Sequence, residues 1–187
     1  FIFFAGYKYK EFHKEFKKSK YKNWNIKVLN TGLNTETGSR ILRAKKYLEK
    51  DKNTNYFYLT YGDGLSNLNI NRTLSLFKKK NKIGLVTTVR PPSRFGLVRS
   101  DSQNHVISFK EKFKKDKGWI NAGFFIFDLK ILDFIEDEKN SVLEKKPLER
   151  LVNFKNLITY KHKGFWQCCD NKKDFEILWE YFTKKKI

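Results

Sequence analysis

The sequence predicts an α/β fold with a mostly parallel central sheet and a small antiparallel insertion. Three observations carry this. Strand-like apolar blocks alternate with amphipathic helical stretches over most of the chain, the pattern of repeated strand-helix-strand units. One polar turn, Ser100 to His105, separates two short apolar runs and marks a hairpin out of that rhythm. Hydrophobic residues make up 40% and aromatic residues 17% of the 187 positions, enough to bury the core of one domain spanning 1–187.

Phe1 to Ala5 reads as a buried strand and Gly6-Tyr7 as the turn that leaves it. Tyr9, Phe12 and Phe16 then recur at helical spacing between lysines and glutamates, predicting a helix through Lys8 to Ser19. Asn25 to Leu29 is the next strand. The Asn-, Thr- and Gly-rich stretch NTGLNTETG, Asn30 to Gly38, is a loop, and Arg40 to Lys50 returns to helical periodicity. Asn55 to Tyr61 is a strand of aromatic and β-branched residues, followed by a helix around Asn71 to Lys80 and a strand from Ile83 to Val89 closed by Pro91-Pro92. Phe95 to Arg99 and Val106 to Phe109 form the hairpin. Trp119 to Phe127 is a strand, Leu129 to Ile135 a short helix, and Ser141 to Asn153 a longer one in which Pro147 marks a first turn or a break. Leu157 to Lys161 and Gly164 to Gln167 are late strands before a last amphipathic helix with Phe175, Leu178, Trp179 and Phe182.

Charge and cysteine usage narrow the function classes. Forty Lys and Arg against 20 Asp and Glu give a formal net charge of +20, which suits an anionic partner. The lysines lie in short runs along the whole chain (Lys17-Lys18, Lys78 to Lys80, Lys184 to Lys186), the distribution of a solvated surface and not of a nucleic-acid-binding arm. Cys168 and Cys169 are adjacent and fit neither a disulfide framework nor a zinc site, so a reduced, cytoplasmic setting is expected. No apolar run approaches the roughly 18 to 20 residues of a membrane span, and FIFFAGY lacks the pattern of a signal peptide. The chain opens at Phe1 within a strand pattern and contains no Met, which reads as a missing N-terminal portion.

Four constellations could carry chemistry. In LTYGDGLSNLNI, Asp63 stands at a strand's carboxyl end between Gly62 and Gly64, where it either holds a hard cation such as Mg²⁺ beside a bulky anion or caps the next helix. In NTGLNTETGSR, threonines, asparagines, exposed backbone and Arg40 offer donors for a base edge or phosphates, or an ordinary surface loop. In FKEKFKKDKGWINAGFFIF, Glu111-Lys112 with Asn121 and Gly123 could hold a sugar's hydroxyls and its phosphate, or form a charged hairpin. In GFWQCCDN, Asp170 is a second metal carboxylate or the cap of the last helix. His13, His105 and His162 belong to no triad, and His162 reads as a strand-end surface residue.

Taken in order, LNTGLNTETGSR, LTYGDGLSNLNI, VTTVRPPSRFG, SFKEKFKKDKGWINAGFFIF, PLERLV and GFWQCCDN resemble the successive motifs of the bacterial glucose-1-phosphate cytidylyltransferases, a branch of the sugar-nucleotidyltransferase family. The resemblance runs from Phe1 to about Tyr181. It implies a Rossmann-like nucleotide-diphospho-sugar transferase fold whose N-terminal strand and glycine-rich nucleotide loop have no counterpart here. It implies Mg²⁺ held by Asp63 and Asp170, with Gly62 beside the nucleotide and Asp63 and Lys112 as the catalytic groups. Thr35 and Arg40 match positions that contact the cytidine nucleotide, Thr31, Gly32, Thr37 and Gly38 shape the same pocket, and Glu111, Lys112, Asn121 and Gly123 match the sugar-phosphate segment. The implied partners are CTP and glucose 1-phosphate, giving CDP-glucose for deoxysugar or surface-polysaccharide synthesis, with a homo-oligomeric parent and no specific nucleic acid or membrane. Sister chemistry with UTP or dTTP, or a non-catalytic binding protein on the same scaffold, are the alternatives. The chain departs from the family at Phe113, which stands for a proline, at Cys168-Cys169, which replace a proline-containing pair, and at Asn171, which replaces a threonine. The link from Ser19 to Trp24 is also shorter.

Overall fold

A computed structural model of the protein describes residues 1–50, 52–90, 97–110, 118–136 and 139–185. It has a mixed α/β fold with a mostly parallel sheet. The described residues cluster into two compact units, one of Phe1–Tyr58, Asn81–Gly84 and Ile126–Ile158, the other of Leu59–Lys80, Leu85–Phe125 and Thr159–Ile187.

The first unit opens with β1 (Ile2–Ala5), which pairs in parallel with β2 (Lys27–Asn30) in the register Ile2↔Lys27 to Ala5↔Asn30. Helix α1 (Tyr9–Glu15) is shorter than its periodicity predicts and buries none of its own residues. A chain of aromatic rings holds this region together instead. Phe3 meets Phe16 with centroids 4.4 Å apart, Phe16 meets Tyr21 at 5.1 Å, and Trp24 stacks on Phe1 at 5.2 Å. The predicted helix 40–50 is two helices, α2 (Thr37–Arg43) and α3 (Lys45–Leu48), with the fully buried Ala44 between them.

Helix α2 begins at Thr37, inside the predicted loop, because tertiary contacts fix that turn. Ser39 N–H donates to Ser141 O (3.1 Å), Ser39 Oγ accepts from Ser141 N–H (2.8 Å), and Glu36 N–H donates to Lys139 O. Thr37 Oγ1 accepts from Leu143 N–H (2.9 Å) and donates to Glu144 Oε2 (2.8 Å). A Cβ on Gly38 would lie 2.8 Å from Ser141 O, so only glycine lets the helix approach that segment.

The remaining strands include β3 (Tyr56–Thr60), β5 (Gly84–Val89), β8 (Ile120–Asp128) and β9 (Leu157–Lys161), in the sheet order β3-β8-β5-β9. Strand β8 runs against β3. Leu129 N–H donates to Asn55 O at one end and Tyr61 N–H to Gly123 O at the other. Its even residues Ala122 and Ile126 and its odd residues Phe125 and Phe127 are all buried, the signature of a strand covered on both faces. A 3₁₀ turn (Leu129–Phe134) and α5 (Lys146–Asn153) follow it, and Pro147 takes the first turn of α5.

The second unit holds two antiparallel pairs. One is the predicted hairpin, β6 (Leu97–Ser100) with β7 (Val106–Lys110). The other pairs β4 (Gly64–Ser66) with β10 (Trp166–Cys168), in the register Trp166↔Ser66 to Cys168↔Gly64. Helices α4 (Ile70–Lys80) and α6 (Lys172–Lys185) complete it. Tyr181 stacks flat on Phe165, centroids 3.6 Å apart, which seats α6 beside β10. No helix among the described residues is long and apolar enough to cross a membrane.

Candidate active site

The parallel pair β1 and β2 ends both strands on one edge, and each hands over to a loop there. Gly6 follows β1. A Cβ on Gly6 would clash with Gly32 O and sit 3.1 Å from both terminal nitrogens of Arg40, so the loop after β2 lies directly over this glycine. Thr31 is buried, donating its hydroxyl to Ala5 O (3.1 Å) and its N–H to the same oxygen (2.8 Å). Gly32 adopts φ +89°, a conformation that favours glycine, with Thr35 Oγ1 and Arg43 Nη1 within 2.7 Å of where a Cβ would stand.

Arg40 reaches back from α2 into this loop. Its Nη1 donates to Thr31 Oγ1 (2.6 Å) and Gly32 O (3.0 Å), and its Nη2 to Leu33 O (3.4 Å). Arg43, one helical turn on, donates to Thr31 O (2.8 Å). Burial pulls the Arg40 guanidinium down from its ordinary pKa, and the neighbouring Arg43 cation adds to the effect. The predicted residues Thr31, Gly32, Thr35, Thr37, Gly38 and Arg40 therefore gather around one loop of the first unit. Gly6 and Arg43 belong with them and were not foreseen. The signal for Arg43 was its spacing of three from Arg40.

In the second unit the ladder of β4 and β10 organises the carboxylates. Asp63 immediately precedes β4, and its carbonyl accepts from Cys169 N–H at 2.9 Å. Asp170, one residue further, is thereby brought to the same end of the ladder. The exposed Asp63 does not cap the next helix, because Asn69 does, accepting from Arg72 N–H through Oδ1 (3.0 Å). Nor does Asp170 cap α6. Asn171 Oδ1 accepts from Asp174 N–H (3.1 Å), and the Asp174 carboxylate answers by accepting from Asn171 Nδ2 (2.8 Å), Asp170 N–H (3.2 Å) and Gln167 Nε2 (3.0 Å). Both acids are released from capping by a neighbouring asparagine.

The glycines of this turn differ from those of the first unit. A Cβ on Gly62 would meet nothing within 4 Å, and one on Gly64 would make only ordinary contacts with Ala122 O and Phe124. Across the strand, Gly123 has φ +77°, and a Cβ there would lie 2.8 Å from the Tyr61 ring. Asn121 Oδ1 accepts from Gly123 N–H (2.8 Å) and so holds that kink. Trp166 Nε1 donates to Ala122 O (2.8 Å), fixing β10 to the same stretch.

The Cys168 thiol donates to Asp170 Oδ2 (3.2 Å). Cys168 Sγ and carboxylate oxygens of Asp170 and Asp174 lie within 4.8 Å of one another. His162 is not a surface residue. It is 9% exposed, its N–H donates to Thr88 O, and its Nε2 lies 3.2 Å from Ser66 Oγ and 3.1 Å from Phe165 O. Burying it closes the turn at Gly164, where a Cβ would strike the imidazole. The expected site residues Glu111 and Lys112, and the departure at Phe113, lie outside the described residues, as do Pro91-Pro92 and the rest of PPSRFG.

The nucleotidyl transferase family model matches residues 2–176, nearly the whole chain. The chain belongs to the nucleotidyl transferase family. It is 36% identical over 160 residues to proteins of Salmonella typhi and Salmonella typhimurium, both named glucose-1-phosphate cytidylyltransferase, a match covering 84% of this chain and 60% of theirs. The chain thus spans well under two thirds of the length of these curated relatives. Among solved structures it resembles HddC from Yersinia pseudotuberculosis complexed with GMP-PN, with a TM-score of 0.70 and 22% identity over 97% of this chain and 77% of that one. That likeness agrees with the sugar-nucleotidyltransferase fold expected from the motifs.

Proposed function

We propose that this chain carries the machinery that joins CTP and glucose 1-phosphate into CDP-glucose, releasing pyrophosphate. One observation supports the reading above others. Asp63 and Asp170 come to the same end of the β4–β10 ladder, and both are relieved of helix capping by Asn69 and Asn171. The ladder thus brings two carboxylate-bearing residues to one strand end, and carboxylate oxygens are the ligands that suit Mg²⁺. In this reading Asp63 and Asp170 hold Mg²⁺, which offsets the negative charge of the phosphates when bound.

A phosphate oxygen of glucose 1-phosphate attacks the α-phosphorus of CTP, a new P–O bond forms, the α–β bridge breaks, and pyrophosphate leaves with the electron pair. The protein contributes position and charge in place of covalent chemistry. The loop Thr31 to Glu36 presents the base, with Thr31, Gly32, Thr35, Thr37, Gly38 and Arg40 setting its shape. Gly62 leaves open space beside Asp63 for a phosphate to approach the backbone. Asn121 holds the Gly123 kink for the sugar phosphate, and Glu111 and Lys112 are assigned to the same substrate, Lys112 with a catalytic role.

The test is pyrophosphate release by the intact protein with Mg²⁺ and glucose 1-phosphate, supplied with CTP, UTP and dTTP in competition. CTP should be consumed first. Asp63→Asn and Asp170→Asn should each lower turnover by about a hundredfold or more, as expected for loss of a group that offsets charge in the transition state. Full activity in either variant removes that residue from the metal role, and preference for UTP or dTTP replaces the cytidylyl reading with that of a sister enzyme.

A further inference from the structure

The loop after β2 spends its carbonyl oxygens in an unusual way. Three consecutive ones, of Thr31, Gly32 and Leu33, accept from Arg43 Nη1, Arg40 Nη1 and Arg40 Nη2 at 2.8, 3.0 and 3.4 Å. The chain has no cis peptide bond among the described residues, so in each of these peptide planes the N–H points opposite to the C=O. The N–H groups of Gly32, Leu33 and Asn34 are therefore directed away from the two guanidiniums. Gly32 N–H is taken by Asn30 Oδ1 (3.1 Å). Those of Leu33 and Asn34 donate to nothing among the described residues, and both residues are exposed. Gly32, with φ +89°, supplies the left-handed step that lets successive N–H groups fall on one side.

We propose that Arg43, acting with Arg40, is a positioning residue that aims the Leu33 and Asn34 N–H groups outward as a paired donor for the O2 and N3 edge of cytosine. The proposal rests on the cytidylyl-transfer reading above and deepens it by naming what selects the base. Cytosine offers two adjacent acceptors, O2 and N3. Uracil puts an N–H at position 3, so one of two adjacent donors would face another donor and lose its partner. Arg43 touches no substrate. Its bond to Thr31 O, and the seat its Nη1 takes in the space Gly32 leaves, fix the peptide planes on which the pairing depends.

The intact protein is assayed with glucose 1-phosphate and either CTP or UTP, as the wild type and as Arg43→Ala, Arg43→Lys and Asn34→Pro, with thermal melting as the control for folding. One hydrogen bond to the base is worth about tenfold. Arg43→Ala should raise KM for CTP by about tenfold with kcat within about twofold, and lower the CTP-to-UTP ratio of kcat/KM by about tenfold. Arg43→Lys, which restores a donor to Thr31 O, should recover most of that ratio. Asn34→Pro deletes one donor at an exposed position without touching either arginine and should lower the ratio likewise; it decides the matter if Arg43→Ala does not fold. A folded Arg43→Ala or Asn34→Pro with an unchanged ratio, or a loss confined to kcat, overturns the proposal. A wild type that uses UTP as well as CTP overturns it while leaving sugar-nucleotidyl transfer standing. A wild type that consumes no triphosphate defeats the transfer reading itself.

Discussion

Two glycines of this chain make opposite predictions from the same substitution. At Gly6 an added methyl group runs into Gly32 O, a backbone atom of the loop that the arginines already hold, and neither side can yield cheaply. Gly6→Ala should cost about 1–3 kcal/mol of stability, the usual range for forcing an extra carbon into a filled space, visible as an earlier midpoint in denaturant. At Gly62 the same methyl meets nothing within 4 Å. Gly62→Ala should stay within about 0.5 kcal/mol of the wild type yet raise KM for the triphosphate, because the open space is where a phosphate is proposed to approach. Unchanged kinetics in Gly62→Ala would show that the triphosphate keeps clear of this turn. Packing thus accounts for glycine at position 6, while no contact among the described residues accounts for it at position 62.

Capping decides what the acidic residues are free to do, and it is a property of elements. Asn171→Ala should cost about 1 kcal/mol, the usual loss for a helix cap, and should change Mg²⁺ dependence along with it, since Asp170 N–H and the Asn171 amide share the Asp174 carboxylate; a stability loss with unaltered Mg²⁺ dependence would separate the cap from Asp170. The β6–β7 turn gives a second test. Asp101 Oδ1 accepts from Gln103 and His105 N–H, both at 2.9 Å, and the backbone bond from His105 leads in holding its carboxyl below the ordinary range. A depressed folded-state pKa means that the stabilisation is present above the ordinary value of about 4 and is lost as pH falls through the lower, folded one. Amide exchange at Gln103 and His105 should therefore accelerate in that acid window, and Asp101→Asn should abolish the pH response. Most elements of this kind were readable. The hairpin, the strands 56–60, 84–89, 120–128 and 157–161, and the helix ending at Lys80 lie within a residue or two of expectation, because each has a period or a turn of its own. Strand β4 was not, since three residues carry no period and its partner β10 lies far along the chain. The start of α2 at Thr37 was missed because Ser141 and Leu143 fix it from outside.

At the scale of the whole molecule, the motifs made the family legible, while the reason for each residue type came from contacts that distance in sequence conceals. Arg40 was read as a donor to the nucleotide, and its guanidinium is engaged with the loop's own oxygens. The net charge of +20 poses the same problem at larger size, because composition alone suits a nucleic-acid binder as well as an enzyme of anionic substrates. Distribution separates them. Lys17-Lys18 follow α1, Lys78 to Lys80 end α4 and Lys184 lies in the last turn of α6, so the cations belong to elements of both units and form no single basic helix. Such a surface binds polyanions by counterion release only, with an affinity that falls steeply in salt and ignores sequence. Duplex DNA of unrelated sequences should retain the protein equally at about 50 mM salt and release it by about 200 mM. Adding excess DNA at the higher salt should leave CTP turnover unchanged. Retention of one sequence over another, or binding that survives about 1 M salt, where charges more than about 3 Å apart are screened, would mean that contacts to bases and not scattered lysines hold the DNA, and the balance between the two readings would reverse.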